Sequence, residues 1–112
     1  MAEHGIDLVA IVTPKPGKVE RFIELFYKCA EYAEKNEPGT LAYRFHRGDK
    51  AKNDGLEELV VRETYENQAA LDKHMEAPPV KAIMKELEAG TLVQNIKIVH
   101  ITPGGGVQRA KI

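Results

Sequence analysis

Imidazole, phenol and carboxylate side chains occur in this chain in an arrangement that could move a proton in apolar surroundings. His74 leads them, because an imidazole titrates near working pH and can serve as a general base. In Glu63-Thr64-Tyr65 a carboxylate and a phenol stand two positions apart, on one face of any strand, and Tyr65 could donate its hydroxyl to a ligand oxygen. Tyr43 and Phe26 add aromatic faces able to bound a small ligand. Each residue also has a structural alternative. His74 could bridge the segment before Pro78 through a hydrogen bond, and Tyr65 could be a core residue with a solvated tip. Glu63 could form an ion pair with Arg44 or Arg62, and Tyr43 with Phe45 could simply fill the core. His46 and His100 are open in the same way, and His4 is given no role.

Other chemistry is less well provided for. Cys29, the one cysteine, cannot form an internal disulfide, and no CxxC or Cys/His cluster offers zinc geometry, so neither a metal nor a cofactor is expected. Its place among Phe22, Phe26 and Ala33 in a helical pattern reads as a buried structural thiol. Lys15 and Lys18 flank a turn before a helix, yet without a glycine-rich phosphate loop they read as solvated lysines.

The elements that must position these groups follow from pattern. Ile6 to Thr13 is rich in Val and Ile and reads as a strand ending at Pro14. Val19, Phe22, Ile23, Phe26, Ala30 and Ala33 then recur at helical spacing opposite Glu20, Glu24, Lys28, Glu31 and Lys35. Glu37-Pro38-Gly39 stops that helix, since the residue before proline avoids the helical region and Gly39 can take a positive φ. From Thr40 the period is two, which predicts Leu41, Tyr43 and Phe45 on one face of a second strand and Ala42, Arg44 and His46 on the other. Gly48 to Gly55 is a charged loop, and Glu57 to Tyr65 is a third strand with Leu59, Val61, Glu63 and Tyr65 on one face. Asn67 is a helix N-cap, Pro78-Pro79 ends one helix and starts another that presents Val80, Ile83, Met84 and Leu87 inward, and Gly90 closes it. Leu92 to Thr102 completes a fourth strand. One domain over residues 1–103 and a flexible tail over 104–112 are therefore expected.

The order β-α-β-β-α-β predicts an α+β, ferredoxin-like antiparallel sheet with helices on one face. Several segments together resemble the antibiotic biosynthesis monooxygenase (ABM) family over roughly residues 5 to 102. They are Thr13-Pro14-Lys15-Pro16-Gly17-Lys18, Glu37-Pro38-Gly39-Thr40 with Tyr43, Glu63-Thr64-Tyr65, Ala70, His74 and Pro78-Pro79. The resemblance implies a dimeric α/β barrel, in which two sheets cover each other's apolar faces. Val107 and Ile112 suggest separately that the C-terminal tail could reach the partner. The resemblance further implies an oxygenase working without metal or prosthetic group on a small aromatic or phenolic molecule, with His74 and Tyr65 catalytic and Glu63, Tyr43 and Phe26 against the substrate. Tryptophan is absent, so the Asn-Trp-His set of the heme-degrading relatives cannot be assembled, and the pocket tryptophan of some anthrone-oxidising relatives is lacking too.

Composition narrows the alternatives. A balance of 16 basic to 17 acidic side chains without blocks gives no reason to expect nucleic acid or an anionic membrane as partner. No apolar run approaches the ~20 residues of a membrane span, and Met1 to Gly5 lacks a signal-peptide layout, so a cytoplasmic protein is expected. The alternative readings are a non-catalytic dimeric barrel that binds a small apolar ligand or serves in stress responses, and an enzyme that isomerises or degrades a small sugar or signalling molecule.

Overall fold

The computed structural model describes residues 5–109, so His4 and Ile112 lie outside the described residues. Its elements run β1 (Ile6–Pro14), α1 (Val19–Asn36), β2 (Thr40–Arg47), a 3-10 turn (Lys50–Lys52), β3 (Leu59–Tyr65), α2 (Gln68–Glu76), α3 (Pro78–Glu88) and β4 (Val93–Ile101). The strands form a sheet in the order β2-β3-β1-β4, antiparallel at every pairing. This is the ferredoxin-like α+β arrangement expected from the sequence.

Alternation along β1 sends Leu8, Ala10 and Val12 to the inner face, where they meet Leu59 and Val61 of β3 beneath the helices. Across this layer α1 buries Phe22, Ile23, Leu25, Phe26 and Cys29, and α3 contributes Val80 and Ile83. Leu25 had no place in the sequence stripe and extends it by one position. The two helices are tied at their exposed side by Arg21, whose guanidinium donates to Glu86.

The outer sheet face is different. Val9 pairs with Val99 and Arg62, Ile11 with Val60 and Lys97, and Arg44 lies directly opposite Arg62. Val99 and Ile101 are exposed there, while Val9, Ile11 and Val60 are half-buried. Beyond β4, residues 102–109 have no regular structure and are exposed.

Two details of the turn after α1 depart from the sequence reading. Gly39 does not have a positive φ; it is required because a Cβ there would come within 2.7 Å of the Ala70 Cβ on α2. Strand β2 also does not alternate from its first residue. Thr40 pairs with Tyr65 and Ala42 with Thr64, so Leu41 is an extra, unpaired residue in a bulge and is 62% exposed. Leu41 therefore does not share a face with Tyr43 and Phe45. The bulge resets the parity of the strand. Thr40, three positions before Tyr43, now lies on the same inner face, because their partners Tyr65 and Glu63 do.

Candidate functional site

Between the inner sheet face and the α2-α3 layer lies a cavity of about 180 Å³. Its walls are mostly apolar, with Leu8, Phe26, Val61, Leu71, Ile83 and Leu87 among them, and its polar lining comes from His74, Glu63 and Tyr43. Met75, Met84, Ile96 and Ile98 line it too and are partly exposed, Ile98 by 57%, which places the mouth between α3 and the edge strand β4. The phenol and imidazole rings sit side by side. Tyr43 stacks on Phe26 with ring centroids 4.3 Å apart and lies 4.7 Å from the His74 ring, and Tyr65 lies 5.3 Å from that ring on another side.

Local sequence explains how His74 comes inside. The Asn67 side chain accepts from the Ala70 amide at 2.9 Å and starts α2 at Gln68. Leu71, His74 and Met75 then fall at helical spacing on the face that meets the cavity. Ala77 ends α2 and caps α3, whose first two positions are Pro78 and Pro79.

His74 is 2% exposed, and Glu37, the residue that caps the C-terminus of α1, is 3% exposed. Their side chains meet: His74 Nδ1 lies 2.7 Å from Glu37 Oε1. The Thr40 hydroxyl donates to the same oxygen at 2.8 Å. Glu37 Oε2 is buried without a partner among the described residues. From sequence Glu37 has no site role, only a place in the turn and in the Glu37-Pro38-Gly39-Thr40 segment that carries the family resemblance. A glutamate immediately before Pro38, where a turn needs no carboxylate, and its place in that segment are the available signals.

On β3 the Tyr65 hydroxyl donates to Glu63 Oε1. Tyr65 is fully buried and is not part of the cavity lining, so its hydroxyl holds the Glu63 carboxyl instead of pointing at the cavity. Burial pushes the Glu63 carboxyl above its usual range, against the Tyr65 hydrogen bond and the imidazoles of His74 and His100, which pull it down. Arg62, weighed from sequence as its ionic partner, is exposed on the opposite face, as is Arg44. Burial raises both the Tyr43 and Tyr65 phenols well above their usual value, so these hydroxyls act as donors near neutrality. Cys29 lies beside Tyr43, and burial pushes its thiol up to about 11. Thus His74, Glu63, Tyr43 and Phe26 converge on one cavity, Tyr65 stands behind Glu63, and Glu37 with Thr40 stands behind His74.

Among the described residues no group of three or more His, Cys, Asp or Glu is arranged to hold a metal ion, and no helix is long and apolar enough to cross a membrane. Fold and cavity define a small ferredoxin-like α+β domain with a histidine set into an apolar pocket.

The antibiotic biosynthesis monooxygenase family model matches residues 6–86, and the chain belongs to that family. Among solved structures it is similar to the PA3566 protein of Pseudomonas aeruginosa, at 22% identity and a TM-score of 0.75 over 94% of this chain and 99% of that one. It is also similar to a Caulobacter crescentus protein assigned by name as an antibiotic biosynthesis monooxygenase, at 25% identity and a TM-score of 0.73 over 92% of each chain. A third, Rv0793 of Mycobacterium tuberculosis, shares 21% identity and a TM-score of 0.71 over 94% of this chain and 100% of that one. No curated protein matches the sequence.

Proposed function

We propose that this protein is a cofactor-independent monooxygenase acting on a small phenolic, quinol or anthrone-type compound bound between helices and sheet. The observation that carries this reading is His74, buried at the wall of an apolar cavity with its Nδ1 engaged by a carboxylate. His74 takes a proton from a ligand O–H or activated C–H, and the resulting electron-rich anion reduces dioxygen. For an anthrone-type methylene the atoms balance without an added reductant. The CH₂ becomes C=O, one oxygen atom stays on carbon, and the other leaves as water with the two hydrogens. Phe26 and Tyr43 stack on the aromatic ligand. Glu63, its carboxyl raised by burial and one oxygen held by the Tyr65 hydroxyl, lies against the bound ligand. Water exclusion by the apolar walls strengthens these contacts.

The outer sheet face supports a homodimer. Val9, Ile11, Val60, Val99 and Ile101 form an apolar strip on one surface of the sheet, and a second copy related by a twofold axis covers it. A cytosolic setting fits the single buried, unpaired Cys29.

Oxygen uptake with a panel of hydroquinones and anthrones tests the activity. At least one compound should drive uptake, and His74→Ala should reduce its rate by about 10²-fold or more. Uptake that persists unchanged in a folded His74→Ala protein removes His74 as the base. Ligands that raise the melting temperature but are never oxidised would make the protein a small-molecule binder instead.

A further inference from the structure

The Glu37 carboxylate is built in more detail than a helix end requires. Its backbone is fixed on both sides, the amide donating to Ala33 O at 2.9 Å and the carbonyl accepting from the Thr40 amide at 3.0 Å. Pro38 restrains the next residue. The side chain turns into the protein, where Oε1 receives Thr40 Oγ1 at 2.8 Å and stands 2.7 Å from His74 Nδ1. Oε2 has no partner among the described residues. A buried carboxylate with an unused oxygen is a costly way to end a helix, since an apolar or amide side chain would remove the desolvation. Its one distinctive contact is with the imidazole.

We propose that Glu37 is the positioning residue for His74: its carboxylate holds the proton on Nδ1, so that the Nε2 lone pair is presented to the cavity. The inference rests on the base reading given above and deepens it. Oε1 already accepts the Thr40 hydroxyl, so the same oxygen faces the ring as an acceptor and Nδ1 donates. Nε2 makes no hydrogen bond with the described residues, and His74 lines the cavity. When a ligand gives its proton to Nε2, the imidazolium forms with Nδ1 still donating to Glu37 Oε1, and the proton on Nδ1 stays where it is. A ligand must therefore bring a donor, an O–H or an acidic C–H, to this wall.

The bulge in β2 belongs to the same device. Without the extra Leu41, Thr40 would face outward and could not share Oε1. The other groups around the ring are Tyr43 from β2, Tyr65 and Glu63 from β3, Cys29 from α1 behind Tyr43, and His100 from β4 near Glu63. Glu37 is the one placed on a ring nitrogen.

Long-range ¹H–¹⁵N spectra of the full ¹⁵N-labelled chain, with His74 assigned by His74→Gln, read the tautomer directly and need no substrate. The wild type should show a neutral His74 protonated at Nδ1 and bare at Nε2. Glu37→Gln, which preserves shape but removes the charge, should lose this single tautomer, and Glu37→Asp should restore part of it. With any oxidisable hydroquinone, Glu37→Gln should lower kcat at least about tenfold with little change in KM. A wild-type His74 protonated at Nε2 overturns the proposal, as does a folded Glu37→Gln protein with the wild-type tautomer and kcat. If no compound is oxidised but the tautomer behaves as stated, the positioning role stands and the oxygenase reading fails.

Discussion

Glu63 shows what burial does to a single side chain. It lies on the inner face of β3 with Leu59 and Val61, accepts from Tyr65, and has its carboxyl raised chiefly by burial. A carboxyl that keeps its proton to higher pH in the folded chain than in the unfolded one favours folding fully below its ordinary value of 4.5, and that advantage is lost as pH rises through the folded value. Thermal melts across pH should therefore show Glu63→Gln matching the wild type in acid and surpassing it progressively above the ordinary carboxylate range. A constant difference across pH would mean that Glu63 is not held out of water as described. The presence of Glu63, Tyr65 and His74 in one neighbourhood was legible in sequence, because alternation and helical spacing assign faces. The partner of each was not. Whether Tyr65 points at a ligand or at Glu63, and whether His74 meets Glu37, depends on side-chain contacts across 37 residues of chain that no local pattern encodes.

At the level of elements, the decisive contact is the approach of the turn after α1 to the first turn of α2. With Gly39 only a Cβ away from overlap with Ala70, α2 sits close enough for His74 to reach Glu37. Gly39→Ala should cost about 1–3 kcal/mol by overpacking and should lower any His74-dependent activity. Chemical denaturation of Gly39→Ala, Ala70→Gly and the double variant tests the cause. Ala70→Gly alone loses helix propensity, about 1 kcal/mol, yet should recover stability when combined with Gly39→Ala. Additive losses would place the strain elsewhere. The need for glycine was visible in the sequence, but its reason was misread, because a turn motif advertises dihedral freedom and says nothing about a neighbour 31 positions away. The order of strands and α-helices was readable from periodicity and the Pro78-Pro79 break, whereas the 3-10 turn at Lys50–Lys52 and the bulge at Leu41 were not, since an exposed leucine in a strand looks like a core residue.

For the whole molecule, the sheet divides two jobs. Its inner face holds the core and cavity, and its outer face carries the apolar strip together with Arg44 and Arg62, like charges directly opposite each other. Neither arginine has a salt-bridge partner among the described residues, so acidic groups of a second copy would relieve them. Sedimentation should give twice the 12.5 kDa of one chain. Val99→Glu should shift that equilibrium towards the single chain while the far-UV spectrum is retained. A wild-type particle of one chain at high concentration would leave the strip open to water and remove the proposed dimer. The sequence predicted that this face needs a cover, because a four-stranded sheet with helices on one side leaves the other bare.

The unpaired Leu41 makes this gene unequally tolerant of change at one codon. Replacing Leu41 by a polar residue touches only a solvated side chain. Deleting it in frame would remove a mostly exposed side chain, yet Thr40, the one residue before it in β2, would turn over by half a pleat. Thr40 would point to the outside, the Glu37 carboxylate would lose its hydroxyl donor, and a folded protein with an impaired dyad would result. Length, and not identity, is what selection can act on at this position.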